Sequence, residues 1–253
     1  MNNSSCIYWF SGTGNSLYTA KKIAAALDIP LSRITDETPA GSAGGHNQKI
    51  GFVFPSYYGN LPRAVRTFAE KLDINPDTYI FTIVTMGALG QGSVHAMKKL
   101  LKNKGLHLSY GKCLLMPANY VLNYNPADPA KSIVKMEKTD ELIKKFAANI
   151  MSGVQSAKTL PFTAGNLYKN IEKLDAGFTV NSSCTGCDLC RKMCPVRNIK
   201  LEDRKPKWLG HCEHCVACIS WCPVKAINYG NKTQTRRRYR FPGINADDLT
   251  RRD

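Results

Sequence analysis

At 253 residues with 43 % hydrophobic side chains, the chain can build one or two domains with real cores, and ordinary Gly (19) and Pro (13) contents with 21 % charged residues exclude disordered, collagen-like and coiled-coil classes. No apolar run reaches the roughly 18 residues of a membrane span, and the N-terminus shows neither a basic leader nor an apolar signal core, so a cytoplasmic protein is expected. The formal charge of +16 raises nucleic acid as a partner, yet ten cysteines without a leader point first to metal binding.

In chain order, short apolar runs at Cys6–Phe10, Ile50–Phe54, Tyr79–Thr85 and Leu106–Met116 have strand length and β-branched or aromatic content, and Leu31–Ile34 is a weaker strand. Helical spacing separates them. Leu17, Ala20, Ile23 or Ala24, and Leu27 recur at helical spacing; Pro62 suits a first helical position ahead of Val65, Phe68, Ala69 and Leu72. A third helix is predicted over Ser93–Asn103, and a long fourth from near Pro129, with Ile133, Met136, Ile143, Phe146 and Ile150 inward. The Gly-rich polar stretch Thr35–Gln48 reads as a loop where another helix could have stood. Alternation of helices with such apolar strands predicts a parallel α/β sheet covered on both faces over residues 1–155. Residues 156–179 form a connector, 180–230 carry eight of the ten cysteines in a nearly repeated unit, and 231–253 are a basic tail containing Arg236, Arg237, Arg238 and Arg240. Cys6 and Cys113, inside strands, are expected to be buried small hydrophobes.

The repeated unit reads Cys184-x2-Cys187-x2-Cys190-x3-Cys194-Pro195 and then Cys212-x2-Cys215-x2-Cys218-x3-Cys222-Pro223. Three cysteines two residues apart let one tight loop offer three thiolates to a cubane, while the cysteine before Pro ligates the other cluster. The expected sets are therefore Cys184, Cys187, Cys190 and Cys222 on one 4Fe-4S cluster, and Cys212, Cys215, Cys218 and Cys194 on the second. Paired CxxC spacing also makes four-thiolate zinc sites, but two quartets each ending in Cys-Pro favour iron–sulfur. The segment resembles the bacterial two-cluster ferredoxin domain, an α+β fold. His211 and His214 flank Cys212 and are expected at the surface or as hydrogen-bond donors; Trp208 and Trp221 are expected to shield the clusters from water.

Directly after the first strand stands Ser11-Gly12-Thr13-Gly14-Asn15-Ser16, opening the first helix. Small and hydroxyl residues there let backbone N–H groups close around an anion at a helix N-terminus. The loop is neither a Walker loop nor GxGxxG. The stretch IYWFSGTGNSLYTAKKIA resembles the start of a flavodoxin. That resemblance implies a doubly wound parallel sheet in order 2-1-3-4-5 and an FMN whose phosphate is held by Ser11, Thr13, Gly14, Asn15 and Ser16. The same edge would carry the segment from Pro55 through Tyr57 and Tyr58, offering aromatic faces to the flavin ring. Gly87, Gly90 and Gly92 would allow close backbone approach, and Asn119 follows the last strand as a cover. The chain departs from plain flavodoxins in lacking a second helix and in its basic surplus.

A flavodoxin-like domain followed by a two-cluster ferredoxin domain and an RRRYRFP tail is similar to the flavodoxin–ferredoxin fusion family of anaerobes. Clusters pass single electrons and a flavin holds one or two, so the resemblance implies electron transfer among two 4Fe-4S clusters and FMN. The partner is expected to be an acidic redox protein, ferredoxin-like or an oxidoreductase, and the tail arginines either to pack against cluster or phosphate negative charge or to dock that partner. The alternative is a ferredoxin-fed reductase whose FMN reduces a small acceptor such as a quinone; a redox-sensing module is a third reading. No recognition motif for nucleic acid, no membrane segment and nothing like an NAD(P)H domain is present, so none of these is expected as a direct partner.

Overall fold

The computed structural model describes residues 5–126, 128, 136–159 and 175–250. The chain divides into two compact units, one comprising Met1–Phe10, Asn15–Met116 and Lys135–Tyr168, the other Ser11–Gly14, Pro117–Val134 and Lys169–Asp253.

The strands of the first unit are β1 (Cys6–Trp9), β2 (Leu31–Arg33), β3 (Ser42–Ala43), β4 (Lys49–Pro55), β5 (Asp73–Ile74), β6 (Tyr79–Met86) and β7 (Tyr110–Leu115). Five of them form a parallel sheet in the order β2-β1-β4-β6-β7. Counting only these five, the order is 2-1-3-4-5, that of a flavodoxin-like α/β fold. Ile50–Phe54 in β4 and Ile80–Thr85 in β6 are buried without alternation, which requires cover on both faces. The helices are α1 (Asn15–Leu27), α2 (Arg63–Lys71), α3 (Gln91–Asn103) and α4 (Met136–Met151). α1 packs with α4 and α2 with α3. The Tyr18 hydroxyl donates to Asp140 Oδ1 at 2.5 Å across the first pair. Lys104 closes the C-terminus of α2, its Nζ donating to the carbonyls of Ala69, Glu70 and Leu72 at 3.0, 2.6 and 2.6 Å.

Four details differ from the sequence expectation. The last strand begins at Tyr110, because Leu106–Ser109 forms the return from α3. Gly105 takes φ +73 and the Leu106 N–H bonds Leu101 O at 2.9 Å, so Leu106 and Leu108 are buried without joining a ladder there. Thr35–Gln48 contains β3, paired in parallel with β5 through Ser42↔Asp73 and Ala43↔Ile74. Pro62 is the N-cap of α2, the position before the helix starts, and α3 starts two residues earlier than expected. The start of the fourth helix near Pro129, with Ile133, lies outside the described residues; Ile143, Phe146 and Ile150 are buried on α4.

The second unit contains β8 (Phe178–Val180), β9 (Ile199–Glu202), β10 (Lys205–Trp208) and β11 (Ile227–Tyr229), with two short helices, α5 (Leu189–Met193) and α6 (Ala217–Trp221). β9 pairs antiparallel with β10, and β11 with β8. The sequence repeat is also a backbone repeat. Asp188 and Val216, each following a middle cysteine, both take left-handed φ (67° and 54°), as do Arg197 and Lys225, each three residues beyond a Cys-Pro cysteine (48° and 52°). A β-branched residue accepts that conformation only under constraint. Val121, Phe178, Ile199, Val216, Ile219 and Ile227 are among the core residues.

The basic tail is folded into this unit. Tyr239 is fully buried and Phe241 nearly so. Arg236 donates to Val121 O, Arg237 to Pro126 O, and Arg240 to Ser220 O and Cys222 O, with its guanidinium 5.3 Å from the Trp221 ring centre. No described helix is long and apolar enough to cross a membrane.

Candidate functional site

None of the ten cysteines is held in a disulfide. Eight of them line two separate cavities. One, with about 350 Å³ of atom-free space partly open to solvent, is bounded by Cys184, Cys187, Cys190 and Cys222. The other, about 330 Å³, is bounded by Cys194, Cys212, Cys215 and Cys218. Each cavity draws three cysteines from one CxxCxxC run and the fourth from the other run's Cys-Pro. The walls are otherwise largely apolar; Phe178 and Trp208, stacked at 5.0 Å, border the second.

Burial pushes the Cys190 thiol up to about 12, with Cys187, Cys222 and Cys184 adding like-charge repulsion. Cys212 and Cys218 lie well above the ordinary thiol range for the same reasons, Cys215 and Cys194 being among the repelling groups. Burial and repulsion keep Cys190, Cys212 and Cys218 protonated unless a cation joins them. The backbone already supplies donors to sulfur: Asn198 N–H to Cys194 Sγ at 3.2 Å, Ala226 N–H to Cys222 Sγ at 3.3 Å and His214 N–H to Cys212 Sγ at 3.2 Å. The first two sit at equivalent positions of the repeat, four residues past each Cys-Pro cysteine. Among the described residues, no three His, Cys, Asp or Glu side chains come close enough to share a single metal ion.

The loop Ser11–Gly14 follows β1 and belongs to the second unit. Ser11 and Thr13 are buried. Ser11 Oγ accepts from Gly14 N–H at 3.1 Å, and Thr13 Oγ1 accepts from the Asn119 amide at 2.7 Å, so each hydroxyl keeps its proton for donation to an oxyanion. Gly14, at φ +105, curls the backbone as an anion cradle requires. The loop is also gripped by the protein: Gly12 O accepts from Trp221 Nε1–H at 3.0 Å, and Thr13 O from Phe241 N–H at 2.8 Å. Asn15 and Ser16 open α1 within the first unit, whose first turn holds no acidic residue. Ser16 Oγ lies 2.7 Å from Thr85 Oγ1 at the end of β6. Within the second unit, the Ser11 and Thr13 hydroxyls and the curled Gly14 backbone fit an oxyanion such as a phosphate.

The other predicted residues gather at the carboxyl ends of β4 and β6. Pro55 ends β4. Tyr57 and Asn60 exchange backbone bonds around Tyr58 (φ 52°) and Gly59 (φ 74°), a tight turn with both central residues left-handed. Tyr57 is half-buried and meets Phe10 edge-on with ring centres 6.2 Å apart. Ser56 Oγ donates to Leu89 O, and Ser93 Oγ to Ser56 Oγ, tying this turn to the Gly87–Gly92 segment. Gly87 is exposed. Gly90 is demanded by packing, since a Cβ there would lie 2.6 Å from Met86 Sδ and 3.0 Å from Cys113 Sγ. Gly92 is buried in the first turn of α3.

His211 is exposed, whereas His214 is buried among Phe178 and Tyr229, its Nδ1 3.4 Å from the Tyr120 hydroxyl. Trp221, expected as a shield, is not among the residues lining either cavity; its indole anchors the Gly12 carbonyl. The anchoring of the Ser11–Gly14 loop by Phe241 and Trp221 was missed in the sequence. A signal was present: in Arg238-Tyr239-Arg240-Phe241 the aromatics alternate with arginines, the period of a half-buried extended segment.

No family model matches the sequence, and no curated protein does. Among solved structures, the chain resembles a flavodoxin of Streptococcus pneumonia TIGR4 at 15 % identity and a TM-score of 0.39, over 59 % of this chain and 99 % of that one. It resembles the Flv1 flavodiiron core of Synechocystis sp. PCC6803 at 13 % identity and 0.40, over 61 % and 36 %. The Trp repressor binding protein of Bacillus subtilis follows at 10 % and 0.38, over 56 % and 97 %. The fold assignment rests on the sheet order itself.

Proposed function

We propose that this chain is an iron–sulfur flavoprotein that passes electrons between two 4Fe-4S clusters and FMN and exchanges them with a redox partner protein. One observation carries the reading: eight thiols form two quartets around two cavities, each completed by a cysteine from the other half of the repeat. A zinc ion would need four sulfurs about 2.3 Å from one centre. Thiols spaced around a cavity, with N–H donors on their sulfurs, suit the faces of a cube.

When bound, the clusters supply one-electron steps and the flavin one- or two-electron steps. The protein's share is to hold the thiols and give them a low-polarity wall. The Ser11, Thr13 and Ser16 hydroxyls, with Gly14 and Asn15, would take the FMN phosphate. Tyr57, Tyr58, Gly87, Gly90, Gly92 and Asn119 would surround its ring. The chain's excess of Lys and Arg suits an acidic protein partner. Anaerobic purification followed by iron, sulfide and flavin analysis tests the reading. About eight irons, eight sulfides and one FMN per chain are expected from two cubanes and one flavin. Zinc without sulfide overturns it.

A further inference from the structure

The tail carries a cation whose donors are only partly used. Arg238 Nη2 donates to Ile227 O at 3.1 Å and to Asn228 Oδ1 at 2.7 Å. Ile227 lines the cavity of Cys184, Cys187, Cys190 and Cys222. The other two nitrogens, Nε and Nη1, are buried and meet no acceptor among the described residues. The neighbouring Arg236, Arg237 and Arg240 each spend donors on backbone carbonyls. Two buried donors of a permanent cation without acceptors are unfavourable, so the place calls for an anionic acceptor. The groups whose charge favours the Arg238 cation are the sulfurs of Cys222 and Cys218, one from each quartet, while burial works against it.

We propose that Arg238 is the counter-charge of the cluster held by Cys184, Cys187, Cys190 and Cys222, its Nε–H and Nη1–H donating to cluster sulfide and raising the potential at which that cluster takes up an electron. The inference rests on the iron–sulfur reading above. An electron taken from the partner without a proton adds one negative charge to a cluster. A fixed cation within hydrogen-bond reach stabilises that reduced form more than the oxidised one. Arg238 thereby acts on the redox centres through charge, and touches neither the partner nor the thiol chemistry.

The test is an anaerobic redox titration, followed by electron paramagnetic resonance, of iron-replete wild type, Arg238→Met, Arg238→Gln and Arg238→Lys. At the wild-type midpoint, the reduced-to-oxidised ratio of the cluster of Cys184, Cys187, Cys190 and Cys222 is expected to fall about tenfold in the Met and Gln proteins, 59 mV for a one-electron couple. Lys, which keeps the charge, should recover a large part of that shift. Unchanged midpoints in an iron-replete neutral variant overturn the proposal, as does an equal shift in the Lys protein. Should Met fail to retain iron, Gln decides by the same criterion. Iron lost in both and restored by Lys supports the counter-charge; iron lost in all three overturns it. A loss of FMN with unchanged cluster midpoints reassigns the donors to the flavin phosphate and also overturns it. A wild-type protein without iron sinks the cluster reading instead, which the initial metal analysis shows separately.

Discussion

Gly12→Ala adds one carbon to the centre of the Ser11–Gly14 loop. A Cβ built there lies 2.0 Å from the Cys215 carbonyl oxygen and 2.9 Å from its carbon, where ordinary contact begins at 3.4 Å. Relief therefore requires a displacement of about 1.4 Å, and the obstacle is backbone, which cannot swing aside as a side-chain tip would. Gly12 has no positive φ, so alanine adds no backbone strain and the effect is steric. Overpacking of this kind costs about 1–3 kcal/mol, offset by about 0.4–1 kcal/mol from the stiffer unfolded chain. The expected net loss is about 1–2 kcal/mol, roughly a tenfold fall in the folded-to-unfolded ratio. Urea unfolding of the anaerobically purified protein measures it. Because Cys215 belongs to the Cys194, Cys212, Cys215 and Cys218 set, iron should fall from about eight toward about four before global unfolding begins. An alanine protein with wild-type stability and full iron would show that the loop and the cysteine turn are not in contact, and the argument for their coupling would fail.

Other changes separate the remaining parts. Cys194→Ala should cost the cluster of Cys212, Cys215 and Cys218, and Cys222→Ala that of Cys184, Cys187 and Cys190, each leaving about four irons; magnetic spectra showing the opposite loss would disprove the crossing. Lys104→Met removes three charge-assisted bonds from the end of α2 and should destabilise the protein by about 1–3 kcal/mol in urea, a value near zero refuting the capping role. Burial lifts the Cys6 and Cys113 thiols from 9.0 to about 11. The folded state keeps protons that the unfolded chain releases, so stability is fully present below pH 9 and declines as pH rises from about 9 to about 11. Thermal melts of a Cys6→Ala/Cys113→Ala protein should decline less across that window than those of the wild type; identical slopes refute the assignment.

The strands that could be read from sequence are those buried on both faces, since Ile50–Phe54 and Ile80–Thr85 leave no polar alternation to confuse. β2, half-buried at the edge, gave only a weak pattern. Apolar content records burial and not hydrogen bonding, so the buried return Leu106–Ser109 imitated a strand. β3 and β5, two residues each, have no pattern to display. Cysteine spacing was legible because three members of each set are local; only the fourth depends on how the halves of the repeat meet. The folded tail was hidden by its own composition. Four arginines within five residues outweigh Tyr239 and Phe241 in any average, though the two aromatics decide its burial.

The loop Ser11–Gly14 shows why a correct motif still under-reads a site. Its glycines read as an anion cradle, a demand that Gly14 satisfies with φ +105. Gly12 answers a different demand: its φ is open to any residue, and what excludes a side chain is the Cys215 carbonyl 203 positions later in the chain. Gly14 meets both, for a Cβ there would lie 2.8 Å from Phe241 Cβ as well. The two demands separate experimentally. Gly14→Ala meets both penalties, and in a Phe241→Gly background its Cβ loses the 2.8 Å contact while the positive φ remains, so a double-mutant cycle in urea should show a coupling of about 0.5–3 kcal/mol. A coupling near zero would mean that backbone conformation alone explains that glycine and that the tail's contact with it carries no energy.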